Sequence, residues 1–134
     1  MKLEIRQREK EGVVLLELKA SLTAGDATTQ LRERLRALLE QNRTNVILDL
    51  AGVDYIDSSG LGSMVVCFTS VRKAGGKLVL LNLNKRNIEL LVLTKLSTVF
   101  EIFDDEQQAI NSFFPDREIK RFDILAFVER QREA

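Results

Sequence analysis

The chain has 134 residues, with 20 Lys plus Arg set against 20 Asp plus Glu, a length suited to one domain around one core and a balance that offers no basic field to nucleic acid or an anionic membrane. It holds no histidine and a single cysteine, which excludes Ser-His-Asp and Cys-His catalysis and most transition-metal sites, so no catalytic residue, metal or cofactor is expected. Cys67 lies among apolar neighbours and suits a reducing compartment, residues 1–20 lack the apolar stretch of a signal peptide, and no run approaches a spanning helix; a cytoplasmic protein without membrane insertion is expected.

In chain order, "KLEIRQRE" and "GVVLLELKA" read as two strands joined by a turn at Lys10 to Gly12. Ala27, Leu31, Leu35, Leu38 and Leu39 then recur at helical spacing, with Thr23 or Asp26 as the N-cap. "NVILDL" is a short apolar strand of the kind buried in a parallel sheet.

The stretch "VDYIDSSGLGSM" follows that strand and opens a second helix, whose Leu61, Met64, Val65, Phe68 and Val71 share a face up to the Gly75-Gly76 pair. Asp57, Ser58 and Ser59 are first of all capping residues, able to accept hydrogen bonds from the unpaired N–H groups of the first turn. Gly60 and Gly62 are poor helix formers, each costing roughly 1 kcal/mol relative to alanine, so something needs close access to the backbone there. The face opposite the apolar one carries Gly62, Ser63, Val66, Thr69, Ser70 and Lys73. It is small and nearly uncharged, a surface suited to a protein partner with a hydroxyl at its leading end.

"KLVLLNL" is another buried strand, "NKRNIELLVLTKL" a third helix, "FEIF" a brief strand, and "DDEQQAINSFF" a helix with an acidic first turn that stops before Pro115. Strands alternating with helices imply an α/β layer with a mixed sheet of about five strands, helices mainly on one face. The remaining "DREIKRFDILAFVERQREA" reads as a final helix, with Ile119, Phe122 and Ala126 on one side, that packs on the domain or supplies a homodimer contact. Residues 1–114 are accordingly expected to form the domain and 115–134 a C-terminal helical extension.

The segments "VILDLAGVDYIDSSGLGSM" and "RKAGGKLVLLNLNKRNIELLVLTKLSTVFEIFDDEQQAI" resemble the anti-sigma factor antagonists, the bacterial branch of the STAS (sulfate transporter and anti-sigma factor antagonist) domain family, over residues 1 to about 113. The resemblance implies a STAS-type fold and places the phosphoacceptor at Ser58, with Ser59 as second choice. It implies a partner-binding surface at Asp57, Ser59, Gly60, Gly62, Ser63 and Val66. The implied partners are an anti-sigma factor that is itself a serine kinase of the GHKL type, and a PP2C-type phosphatase that restores binding. A chain of this kind is a regulator of transcription by partner switching, not an enzyme. The alternative within the same fold is a scaffold component, of a stress-sensing complex or of lipid-transport machinery, with no phosphorylation switch. The family usually has a glycine and then an aspartate where this sequence has Ala20 and Thr23.

Overall fold

Consecutive apolar residues can all be buried only in a strand covered on both faces, and three such runs, at residues 13–16, 46–48 and 78–81, form the three inner strands of the sheet. A computed structural model describes residues 2–133. In it β1 (Glu4–Lys10) turns back into antiparallel β2 (Val13–Lys19), and β3 (Asn45–Gly52), β4 (Lys77–Leu81) and β5 (Ile102–Phe103) follow as parallel neighbours. The spatial order β1-β2-β3-β4-β5 repeats the chain order.

That order decides where the helices lie. Parallel neighbours need crossover connections, and those are right-handed almost without exception, so a sheet that never reverses direction collects its crossovers on one face. Helices α1 (Asp26–Glu40), α2 (Ser58–Lys73) and α3 (Lys85–Leu93) are these crossovers. They bury Leu31, Leu35, Met64, Cys67 and Leu91 against Leu16, Leu48 and Leu80 of the sheet. The alternate strand residues Leu15, Ile47, Val79 and Phe103 point to the second face, where α4 (Glu106–Asn111) adds Ala109 and Ile110. The result is the expected five-stranded mixed sheet with helices mainly on one side and an additional C-terminal helix, α5 (Ile124–Glu133).

The C-terminal segment departs from expectation in its first half. Residues 116–123 are not helical but form a strap around the open edge of β5. Ile119 packs on the second-face cluster, whereas Phe122, Ile124 and Phe127 join the first. Helix would carry eight residues only about 12 Å, whereas extended chain reaches about 27 Å, and the strap has to pass from one face of the sheet to the other. The Phe122 N–H donates to the Ile102 carbonyl at 2.8 Å, satisfying part of the exposed edge. Arg117 binds Glu11 at 2.8 Å and lies 3.9 Å over the Phe114 ring, tying the strap to the first hairpin.

Candidate functional site

The loop from β2 to α1 and the loop from β3 to α2 meet at the C-terminal end of the parallel strands. Leu22 forms a parallel bridge with Ile56, its N–H donating to Tyr55 at 2.9 Å and its carbonyl accepting from Asp57 at 3.2 Å. Asp57 is the N-cap of α2, in extended conformation. One of its oxygens accepts the Gly60 N–H at 2.7 Å and the other the Ala24 N–H at 3.1 Å. A single carboxylate therefore closes the first turn of one helix and holds the entry to another.

The hydrogen bond from Gly60, then those from Ala24 and Ser59, hold the Asp57 carboxyl below the usual carboxylate range. It is a committed anion, unsuited to taking a proton at neutral pH. Gly60 is required by crowding: a Cβ there would lie 2.9 Å from the Leu22 carbonyl carbon and closer still to its oxygen. The capping reading therefore holds for Asp57 and the close-approach reading for Gly60, whereas a Cβ at Gly62 would meet nothing within 4 Å.

Asp57 takes the Ala24 N–H just ahead of α1, and α1 itself starts without a side-chain cap. Its N-cap is Gly25, at φ 99°, and neither Thr23 nor Asp26 fills that role. The site loop is also fixed from the far side. Asn84 caps α3, accepting the Asn87 N–H at 2.8 Å, and its amide donates to the Val53 carbonyl at 3.2 Å. Buried Asn87 donates to the same carbonyl at 3.0 Å. Sequence reasoning passed over these two asparagines, although an asparagine ahead of a helical pattern is itself a capping signal.

Six of the expected site residues fall on the first turns of α2, and they divide by exposure. Ser58, Ser59, Gly62 and Val66 face outward, with Val66 47% exposed and Thr69 continuing the strip. Gly60 and Ser63 face inward. Ser63 is 3% exposed, and its hydroxyl lies 3.5 Å from the Thr28 carbonyl of α1. Neither offers a partner a contact surface, because Leu22 covers Gly60 and α1 covers Ser63 on the side of α2 that a single helical wheel leaves open. Thr23 is half-buried in the neighbouring loop. Ala20, at the root of that loop, is buried at φ 91°, a backbone region that favours glycine.

The arrangement presents two hydroxyls at a helix N-terminus with no base beside them. Among the described residues no group of acidic or cysteine side chains could hold a metal ion. Cys67 is buried beneath α2, and burial pushes its thiol up to about 11, where it is unreactive. Ser58 and Ser59 are both exposed to solvent at the start of α2.

The model of the STAS domain family matches residues 4–109. The anti-sigma-B factor antagonist of Bacillus subtilis (strain 168) is 43% identical over 72 residues, covering 54% of this chain and 65%, a little under two thirds, of that protein. The anti-sigma-B factor antagonist of Listeria monocytogenes is 32% identical over 104 residues, which is 75% of this chain and 86% of that one. Among solved structures, the Bacillus cell fate determinant SpoIIAA in its phosphorylated form shares the fold, with a TM-score of 0.64 at 20% identity over 81% of this chain and 98% of that one. No helix among the described residues is long and apolar enough to cross a membrane.

Proposed function

The chain belongs to the STAS domain family, and from that premise we propose that it is an anti-sigma factor antagonist whose hold on its anti-sigma factor is switched by phosphorylation of Ser58. The observation that carries the proposal is the position of Ser58: exposed, first in α2, and backed by an uncharged outward strip through Gly62, Val66 and Thr69. The curated relatives bear the name of antagonists of an anti-sigma factor, and a protein of this fold exists in a phosphorylated form.

The physics of the switch follows from where the charge lands. A phosphate adds about −1.5 to −2 charges and three strong acceptors. At a helix N-terminus the free protein tolerates it, with a gain of roughly 0.3–1 kcal/mol. Buried in an interface without a cationic partner, the same group costs several kcal/mol, about a hundredfold or more in affinity. Fold and binding are thereby separated: the modified protein stays folded and lets go.

In this reading the unphosphorylated strip docks on the anti-sigma factor, a serine kinase of the GHKL type, and sequesters it from a sigma factor in the cytoplasm. The kinase transfers phosphate to Ser58 and a PP2C-type phosphatase removes it. Ser59, exposed one residue along, is the second candidate acceptor. The test is the affinity of the kinase, recovered on immobilised Ser58→Ala protein, for three forms of the chain. Wild type and Ser58→Ala are expected to bind alike and Ser58→Asp to bind at least tenfold more weakly; equal affinity for all three would refute the proposal.

A further inference from the structure

A groove runs between the two helices beside the site, walled by Arg32, Arg36 and Leu39 of α1 and by Val66, Cys67 and Ser70 of α2. Leu39, Val66 and Cys67 make it partly apolar, and both arginines are exposed on its rim. No acidic residue lines it, and α2 carries none along its whole length while adding Arg72 and Lys73 in its last turn. Arg6, Arg8, Arg43, Arg117 and Arg121 each sit against a glutamate, whereas Arg34, Arg72 and Arg86 are in no ion pair among the described residues. Among the described residues Arg32 and Arg36 have no such partner.

From this juxtaposition of an apolar floor with two unneutralised guanidinium groups, we propose that the groove between α1 and α2 seats an acidic amphipathic helix of the protein partner. Its carboxylates lie between Arg32 and Arg36, where planar guanidinium groups bind carboxylates in pairs. One apolar side chain fills the space between Leu39 and Val66. This deepens the partner-binding reading of α2 and rests on it for the identity of the occupant.

The charge selected by the groove also bears on release. Val66 stands eight residues from Ser58, about 12 Å along the helix, or about one and a half Debye lengths at physiological salt. A phosphate on Ser58 places negative charge at the end of a site whose occupant is itself negative. At that distance salt screens most of the repulsion, which adds only a small contribution to the desolvation cost at the serine.

The test uses the full chain and two synthetic probes: a fluorescein-labelled amphipathic helical peptide of leucine, alanine and glutamate, and its counterpart with lysine for each glutamate. Anisotropy is expected to give at least tenfold tighter binding of the glutamate peptide, with amide shifts confined to residues 32–39 and 62–73. Arg32→Glu with Arg36→Glu should remove at least a factor of ten; a neutral Arg32→Gln, Arg36→Gln pair serves if reversal disturbs the fold. Equal binding of the two peptides, no binding at millimolar peptide, or shifts centred elsewhere would overturn the proposal. So would binding to phosphatidylglycerol vesicles that the double reversal abolishes while the peptide produces no shift, which would assign the groove to a membrane. Neither probe involves the kinase or modification of Ser58, so the groove and the phosphorylation switch fail separately.

Discussion

The entry to α2 and the C-terminal strap are both short irregular segments at the boundary of the sheet, and they are held by opposite means. At the α2 entry, backbone groups and the Asp57 carboxylate make the attachments, so Ser58 and Ser59 are left facing solvent on a fixed frame. Along the strap and its continuation into α5, side chains make most of them: Ile119, Phe122 and Phe127 are spent in the two cores, beside one backbone bond from Phe122 to Ile102. The first segment keeps its two serines free while Val53, Ile56 and Asp57 anchor it, whereas the second spends its large apolar side chains in the cores. A modification that must change binding without unfolding the protein belongs on the first kind.

Breaking the strap should therefore cost the most. Phe127 is 7% exposed, in the main core and 6.0 Å from the Phe122 ring; Phe127→Ala is expected to lower unfolding free energy by about 3–4 kcal/mol in urea titration. A loss under about 1 kcal/mol would mean that the strap only rests on the domain. Next in size, Gly60→Ala drives a methyl group into the Leu22 carbonyl and should cost about 2–3 kcal/mol. It should also shift the amide resonances of residues 20–24, because the damage falls on the loop that Asp57 holds.

A smaller effect of opposite sign sharpens the contrast. Ala20 occupies φ 91°, so Ala20→Gly should raise the unfolding midpoint, by an amount equivalent to about 1 kcal/mol. An unchanged or lower midpoint would show that the buried methyl outweighs the strain. The smallest expected effect is a pH dependence. The folded-state pKa of Asp57 is lowered by backbone donors, so its contribution is present above the ordinary carboxylate pKa and lost as pH falls through the folded value. Asp57→Asn should thus be less stable than wild type at neutral pH, and the two unfolding curves should converge in acid. A gap of constant size at every pH would show that the charge of Asp57 is immaterial.

Much of this was legible in the chain itself. Buried strands announce themselves by consecutive apolar residues, as in "NVILDL", and the Asp-Ser-Ser-Gly cap stood immediately before a helical pattern. What was hidden is tertiary. Ser63 lies on the small, uncharged side of α2 by helical spacing, yet Thr28 of α1 covers it, and nothing in the local pattern says which neighbour crosses where. Ile119, Phe122 and Ala126 fit a helical face equally well as a strap, because spacing cannot reveal that Ile119 and Phe122 serve opposite faces of a sheet. The hold on the loop before α1 is hidden for a related reason: the Ala24 N–H is satisfied by Asp57, distant in sequence.

The central claim is that Ser58 is modified, and phosphopeptide mass spectrometry on protein recovered from its native cells tests it most directly. The tryptic fragment from Thr44 to Arg72 contains both serines and can be fragmented to separate them. Phosphate is expected on Ser58, in a fraction that changes between growth and stress. A fragment that stays unmodified under both conditions would contradict it, leaving the two serines as exposed members of a helix cap.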